Sequence, residues 1–520
     1  MEYNNPSEIV KDLTFANDAR VKIKAGVDKL AEAVKSTLGA SGKCVIYEDA
    51  MGKPVITKDG VTVAESVVLL DPVENIGATL IKEAARNTVR EAGDGTTTST
   101  VLAQSLLNGV YEEINKGGDV RTMKSSINTA SEKVFKYIDS IKVDVTEDML
   151  IHVANISTNN DKFLGSVIGG AFKEVGKNGV VILENSETNE TYSHMIEGAQ
   201  IACGLKSQHL VTDKDSNKAI LDNPYVLISS SPIPNIRKIQ SVLEHVIKQN
   251  RSLLIIGTVE QQAMSALLAN KVKGNIKVNI IDAPGFGRGR EDAIEDIAIL
   301  TGANVINEEL GDDMDLITVD DLGVALKSIT DEKSTVLTIS NVSEEVEERI
   351  EKVTNLVKEE DNPFLKKKLE ERLAILRGKV AVIYVGADSQ VELKEKKDRV
   401  EDAIYATKAA LQDGIVPGGG IALLNAATNI GKEKLLQFEN VLLEAIKYPY
   451  KVVLENADIN YSETNMEDGY GIDATNGMMV NMIEAGIIDP ALVTKTALRN
   501  AVSVVITIIS ANCVISNVRA

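Results

Sequence analysis

Apolar and polar positions alternate with two different periods along this chain. From Asn17 to Leu38 the apolar residues Val21, Val27, Leu30, Ala31, Val34 and Leu38 recur near a helical spacing and stop at Gly39. This predicts one amphipathic helix ended by a glycine. The next signal is the run from Val55 to Val63, where β-branched residues flank Lys58-Asp59-Gly60. An Asp-Gly pair in that setting predicts a tight hairpin with Lys58 and Asp59 at its tip, and such pairs also occur as plain turns. Helical spacing returns from about Pro72 to Ala92 and again through Val101, Leu102, Leu106 and Leu107.

The middle of the chain has another rhythm. Strand-like runs at Val180 to Leu183, Val226 to Ile228, Leu253 to Ile256 and Val278 to Ile281 alternate with helical segments at Asn235 to Gln249 and Glu260 to Lys273. That is an α/β pattern. A charged segment from Ser343 to Arg377 predicts a solvated helical pair without chemistry of its own. Beyond Arg399, the residues Val400, Ala403, Ile404, Thr407 and Leu411 share one helical face and Asp402 falls on the other. A glycine-rich turn, Gly414 to Gly420, precedes a further apolar helix. It fits either a helix cap followed by a turn or a close approach to a ligand.

Length and charge narrow the classes. The 520 residues suggest roughly three domains at about 150 residues each. A net charge of −20 with no basic run argues against nucleic acid or an anionic membrane as partner. Met1 to Val10 lacks a basic region followed by an apolar one, and no stretch approaches the roughly 18 uncharged apolar residues of a membrane span, so a cytoplasmic location is expected. Cys44, Cys203 and Cys513 are odd in number and far apart, which fits packed thiols in a reducing compartment. His152, His194, His209 and His245 show no metal-binding spacing. There is no GxxxxGK[ST] loop and no GxSxG elbow, and the glycines of Gly285 to Gly289 are wrongly spaced for a dinucleotide fingerprint.

The candidate chemistry lies at Gly93-Asp94-Gly95-Thr96-Thr97-Thr98, between two helical segments. Flexible glycines opening onto a helix N-terminus, with three free threonine hydroxyls, make a place for phosphate, and Asp94 could hold a divalent cation. A glycine-ended helix followed by a Ser/Thr cap accounts for the same six residues.

Ordered motifs over nearly the whole chain carry a resemblance. They run through Asn17-Asp-Ala-Arg-Val-Lys22, Thr37-Leu-Gly39, Thr57-Lys-Asp-Gly-Val61, Ala92-Gly-Asp-Gly-Thr-Thr-Thr98, Ala283-Pro-Gly-Phe-Gly287, Lys394-Glu-Lys-Lys397, Arg399-Val-Glu-Asp402, Gly418-Gly-Gly420 and Ile488-Asp-Pro490. The chain resembles the group I chaperonins, the Hsp60 or GroEL-like family, as a divergent member. The Gly-Asp-Gly loop and the Lys-Asp-Gly tip are shared with group II, whereas Glu-Lys-Lys-x-Arg-Val-Glu-Asp and Ala-Pro-Gly-Phe-Gly point to group I.

The resemblance implies a multidomain α+β fold. Its parts are a mainly helical equatorial ATPase domain (1–140 and 413–520), a small hinge domain (141–196 and 381–412) and an α/β apical domain (197–380) inserted between them. It implies ATP and Mg2+, with K+ as a further cation, rings of seven, non-native polypeptide clients and a co-chaperonin as a candidate partner. An ATP-independent holdase ring is the alternative, and a stand-alone metabolic ATPase a third class. Carried over by motif, Thr37, Leu38 and Gly39 lie around base and phosphates, Lys58 and Asp59 near the phosphates, and Asp94 on the magnesium. Gly95, Thr96, Thr97 and Thr98 cradle phosphate, and Ile156 and Ser157 add a contact. Gly418, Gly419, Asp473 and Ala474 stand near base and ribose, and Asp489 holds the ribose. Asp402 orients the attacking water, with Asp59 and Lys58 beside it. Clients would meet Leu205, Leu210, Leu243, Met264, Leu267 and Leu268, although plain helix core accounts for Leu243 and Leu267 equally well.

Departures from the family pattern are specific. His209 and Gln240 make the client groove more polar. Gly378-Lys379 replaces a Gly-Gly hinge opposite Gly198. Ala40 replaces a proline, and Ile472-Asp473-Ala474-Thr475 replaces Tyr-Asn-Ala-Ala. Glu112 and Lys116 alter the ring-to-ring surface, and no Gly-Gly-Met tail follows Ala520.

Overall fold

The computed structural model describes residues 10–518 except 50, 159, 177–178, 215, 286–287, 340–343, 361 and 461–466. Phe286 and Gly287 of the Ala-Pro-Gly-Phe-Gly motif, Ser343 and the chain end at Ala520 lie outside the described residues. The chain forms two compact units, one of residues 1–173, 185–192 and 384–520, the other of 174–184 and 193–383.

The first unit is a helical bundle around one large core. The helices Ala16–Lys35, Pro72–Ala92, Thr96–Asn115, Val120–Ile141 and Ala491–Ser510 bury Leu30, Ile81, Leu106, Met123, Ile127, Leu498 and Val505 against one another. The first two of these helices cross at van der Waals contact, because a Cβ on Gly26 would stand 1.9 Å from the Glu74 carbonyl oxygen. Only a bare backbone fits there. Asp71 caps the Pro72–Ala92 helix through the N–H groups of Val73 and Glu74, with Pro72 in its first turn. Ala491–Ser510 is long and apolar enough to cross a membrane, closer to a span than the sequence reading allowed. Its Ala497, Leu498, Ala501 and Val505 are instead fully enclosed in the bundle core. The segments Lys11–Phe15 and Cys513–Asn517 pair antiparallel, with Leu13 opposite Ile515, and tie the two chain ends together.

The hairpin expected around Asp59-Gly60 is one element out of place. The paired strands are Val45–Glu48 and Pro54–Thr57, and their turn is closed by the Asp49 carboxylate, which accepts from the N–H groups of Met51 and Lys53. Asp59 instead caps a short helix, Gly60–Ser66, accepting from Val61 N at 3.0 Å and from Thr62 N and Oγ1 at 2.8 and 2.6 Å. A side-chain cap supplies the orphan amides of a helix start, and Val63 and Ala64 one turn on are buried. Three β-branched residues are too few to separate the two periods in the sequence.

The second unit holds the α/β pattern. The strands Tyr225–Ile233, Ser252–Val259 and Lys277–Ile281 run parallel, with Val305–Ile306 parallel and Gly323–Val324 antiparallel to the first. Their Leu254, Ile255, Ile256, Val278 and Ile280 are buried, as continuous apolar runs require when both sheet faces are covered. A second sheet contains Tyr192–Ile201, Thr335–Thr338, Lys327–Thr330 and Ala219–Asp222 in that order. Gly198 lies inside it, opposite Thr338. The charged pair forms the helices Glu344–Glu359 and Pro363–Leu376, and it is not merely solvated. Asp296, 1% exposed on Arg288–Thr301, accepts from Arg349 at 2.8 Å and Arg372 at 2.7 Å and pins both helices to the unit.

Candidate functional site: a nucleotide-sized cavity walled by carboxylates

A cavity of about 740 Å3 opens in the first unit, and the segments expected to meet there do meet. Gly93 terminates the Pro72–Ala92 helix in the left-handed region at φ 76°, and Gly95 at φ 95° starts the next. Between them Asp94 faces the cavity, with its carboxylate accepting from Gly95 N. No side chain caps the Thr96–Asn115 helix, so its first amides stand open at the positive end of a 20-residue helix beside Thr96, Thr97 and Thr98. The hydroxyls of Thr96 and its neighbours divide their work. Thr97 Oγ1 lies 3.3 Å from Thr37 Oγ1, whereas Ser99 and Thr100 bond back to the Thr96 carbonyl.

Thr37, Leu38 and Gly39 line the cavity in a turn held by Asn456, whose Nδ2 donates to the carbonyls of Lys35 and Leu38. Lys58 and Asp59 line it from the helix-capping turn, and Ile156 and Ser157 from the end of Glu147–Ser157. Asp489 and Gly419 enter through the paired strands Ile415–Pro417 and Ile488–Pro490, in which Val416 stands opposite Asp489. Asp473 and Ala474 complete the wall. The Asp473 carboxylate is already engaged, accepting from Thr475 N and Oγ1 and from Asn476 Nδ2, so it shapes its loop. Gly418 alone among the expected residues is off the wall. Its N–H donates to the Ile487 carbonyl at 2.9 Å, and a Cβ there would press on the backbone of Ile487 and Ile488.

Electrostatics set this cavity apart from the rest of the unit. Desolvation, followed by the charges of Asp94 and Asp59, raises Asp402 well above the usual carboxylate range. Asp94 is raised by desolvation and then by Asp59, against the lowering effect of Gly95 N–H. Asp489 is pushed to about 7 by desolvation and Asp94, although the N–H groups of Gly419 and Gly420 favour its ionised form. Like charges gathered in a partly dehydrated site account for all three directions. The sequence reading missed Asp398, which lines the cavity four residues before Asp402 and is pushed to about 6 by desolvation and Asp59. Its i, i+4 spacing from Asp402 was the available signal.

Crowded carboxylates facing open amides fit a cation held together with phosphate. Among the described residues no three acidic, histidine or cysteine groups converge closely enough to bind a metal alone. A cation at Asp94 therefore needs ligand oxygens from a bound phosphate or water.

Comparison with known proteins accords with this geometry. Residues 30–519 match the model of the TCP-1/cpn60 chaperonin family. The chain belongs to that family. Among solved structures it is similar to the chaperonin gp146 from bacteriophage EL 2 (Pseudomonas aeruginosa), at 21% identity over 98% of this chain and 99% of that one. The TM-score is 0.72 against one crystal form of that protein and 0.66 against the other. This chain has the chaperonin fold, and its family is one of protein-folding chaperones.

Three of the six residues expected to meet clients are buried in the chaperonin's second unit. Leu210 and Leu267 are 0% exposed and Leu243 is 7% exposed, all within the core that backs the parallel sheet. They are core residues of the second unit, the alternative left open for Leu243 and Leu267 and a correction for Leu210, because helical spacing cannot tell which apolar stripe faces inward. Leu205, Met264 and Leu268 remain partly exposed at the edge of that core. Of the two residues expected to alter a ring-to-ring surface, Glu112 is exposed, and Lys116 pairs with Glu113 at 2.8 Å within its own helix end.

Proposed function

We propose that this chaperonin binds ATP with Mg2+ in the carboxylate-walled cavity and hydrolyses it to drive the refolding of non-native polypeptides. The single observation that carries the reading is the convergence on one cavity of the open Thr96–Asn115 helix start, Asp94 and Asp402. The gp146 crystals grown in the presence of ATP-BeFx support it. Mg2+ bound with the triphosphate at Asp94 would neutralise phosphate charge. The amides of residues 96–98 and the Thr97 and Thr98 hydroxyls hold phosphate oxygens, and Lys58 adds a positive charge beside them. Asp402 accepts a hydrogen bond from the attacking water and orients it, the positioning that phosphoryl transfer needs. Its raised proton affinity suits a group that takes up a proton.

The cavity wall combines segments of the equatorial parts (1–140 and 413–520) with Ile156, Ser157 and Asp402 of the hinge parts (141–196 and 381–412). Nucleotide bound between them favours a closed hinge by differential contact, which would move the apical domain (197–380) and the surface it offers to clients. Rings of seven complete the reading.

The test is Asp402→Ala in the full chain. ATP binding measured by calorimetry should stay within about threefold, while turnover falls about 10²- to 10³-fold. Unchanged turnover removes Asp402 from the reaction. Suppression of client aggregation without nucleotide, with no gain in refolded client on adding ATP, identifies a holdase instead.

A further inference from the structure

Lys82 has no place in the reading above, yet among the described residues it is the one buried lysine. It lies on the Pro72–Ala92 helix and is 7% exposed. Its Nζ donates to the carbonyl oxygens of Glu65 and Val67, at 3.1 and 2.5 Å. Both carbonyls belong to the C-terminal end of the short Gly60–Ser66 helix. Burial lowers the proton affinity of the amine, so the contact is maintained against a desolvation cost. The surface pair beside it has the same target, since Arg86 grips the Glu65 carboxylate through Nε and Nη2.

The other end of the Gly60–Ser66 helix is Asp59. All the hydrogen bonds its carboxylate accepts from Val61 and Thr62 come from that helix's first turn, so Asp59 moves with the helix. Asp94 stands just past the Gly93 cap of the helix that carries Lys82. One long helix thus leads through its Gly93 cap to Asp94 and clasps, through Lys82, the far end of the strut bearing Asp59. Between the two carboxylates no direct bond is needed.

We propose that Lys82 is a positioning residue that sets the separation of Asp59 and Asp94 by anchoring the C-terminal carbonyls of the Gly60–Ser66 helix. A cation favours those carbonyls at the negative helix end, where an apolar side chain of equal length would leave them unpaired. Displacement of a charged group by an ångström in such a site costs about 10²-fold in rate. The proposal rests on ATP hydrolysis at this cavity.

The experiment compares Lys82→Met and Lys82→Gln with the wild-type full chain, and uses Ile81→Val as a control that loosens the packing of the same helix while keeping the Lys82 amine and its two carbonyl contacts. ATP turnover, its Mg2+ dependence and ADP affinity are measured well below each melting midpoint. Lys82→Met should lose tenfold or more in kcat and need several-fold more Mg2+, with ADP affinity within about threefold. Lys82→Gln retains an uncharged amide donor and should show a smaller loss in the same direction, which keeps the test decisive if the methionine variant fails to fold. Ile81→Val should lower the melting midpoint alone. Wild-type kcat and Mg2+ dependence in Lys82→Gln, or an equal loss in Ile81→Val, overturns the proposal. Absence of hydrolysis in the wild-type chain overturns the functional reading beneath it.

Discussion

Asp489→Asn should make the nucleotide-free protein more stable at alkaline pH while weakening ATP binding. The partly exposed Asp489 carboxyl is pushed up to about 7 in the folded protein by desolvation and the Asp94 charge. In the unfolded chain it titrates near 4. Because the folded value is the higher one, the folded state binds more protons between these limits. Wild-type stability is therefore fully present below about pH 4, falls as pH rises, and levels off above about 7. Three pH units correspond to a ceiling of about 4 kcal/mol, and the cavity's own water reduces that to about 2 kcal/mol. Asparagine has the same shape, and its Oδ1 can still accept from the N–H groups of Gly419 and Gly420 that favour the aspartate. The assay is urea unfolding of both proteins at pH 5 and pH 8, without nucleotide or divalent metal. The advantage of Asp489→Asn should be small at pH 5 and reach about 2 kcal/mol at pH 8. An advantage that is absent at pH 8, or the same at both values, refutes the claim that desolvation and the Asp94 charge raise the proton affinity of Asp489.

Other consequences follow from packing. Gly93→Ala forces a left-handed alanine whose Cβ would lie 2.2 Å from the Tyr405 Cβ, so it should destabilise by about 2–5 kcal/mol in chemical unfolding. Leu267→Ala should cost about 2–5 kcal/mol through the cavity it leaves in the sheet core. Leu268→Ser, at the edge of the same core, should cost roughly 1 kcal/mol and reduce suppression of client aggregation; unchanged suppression removes Leu268 from the client surface. Asp296→Asn should loosen the Glu344–Glu359 and Pro363–Leu376 helices, seen as faster amide exchange there, because two arginines lose a buried carboxylate.

Much is legible in the sequence because it is local. Gly93 and Gly95 flank Asp94 in a pattern that only a sharp turn between helices explains, and both adopt positive φ. The alternating runs of residues 226–281 specify parallel strands by their apolar continuity, and the charged 343–377 segment specifies paired helices by its period. Motif order brought Thr37, Lys58, Asp94, Asp402 and Asp489 to one family pattern, and with it to one cavity. Short or symmetric signals failed. Val61-Thr62-Val63 satisfies strand and helix periods equally, and Asp59 chose the helix because its carboxylate could satisfy two orphan amides and the Thr62 hydroxyl. What tertiary structure alone decided is which side of an element faces inward and which charges are brought together. Leu243 and Leu267 share helical spacing with exposed neighbours, yet the sheet behind them makes them core. Asp398 and Lys82 read as ordinary surface charges until folding carries one to the cavity and the other to a helix end. Burial and proximity are relations between distant segments, and only the packed chain contains them.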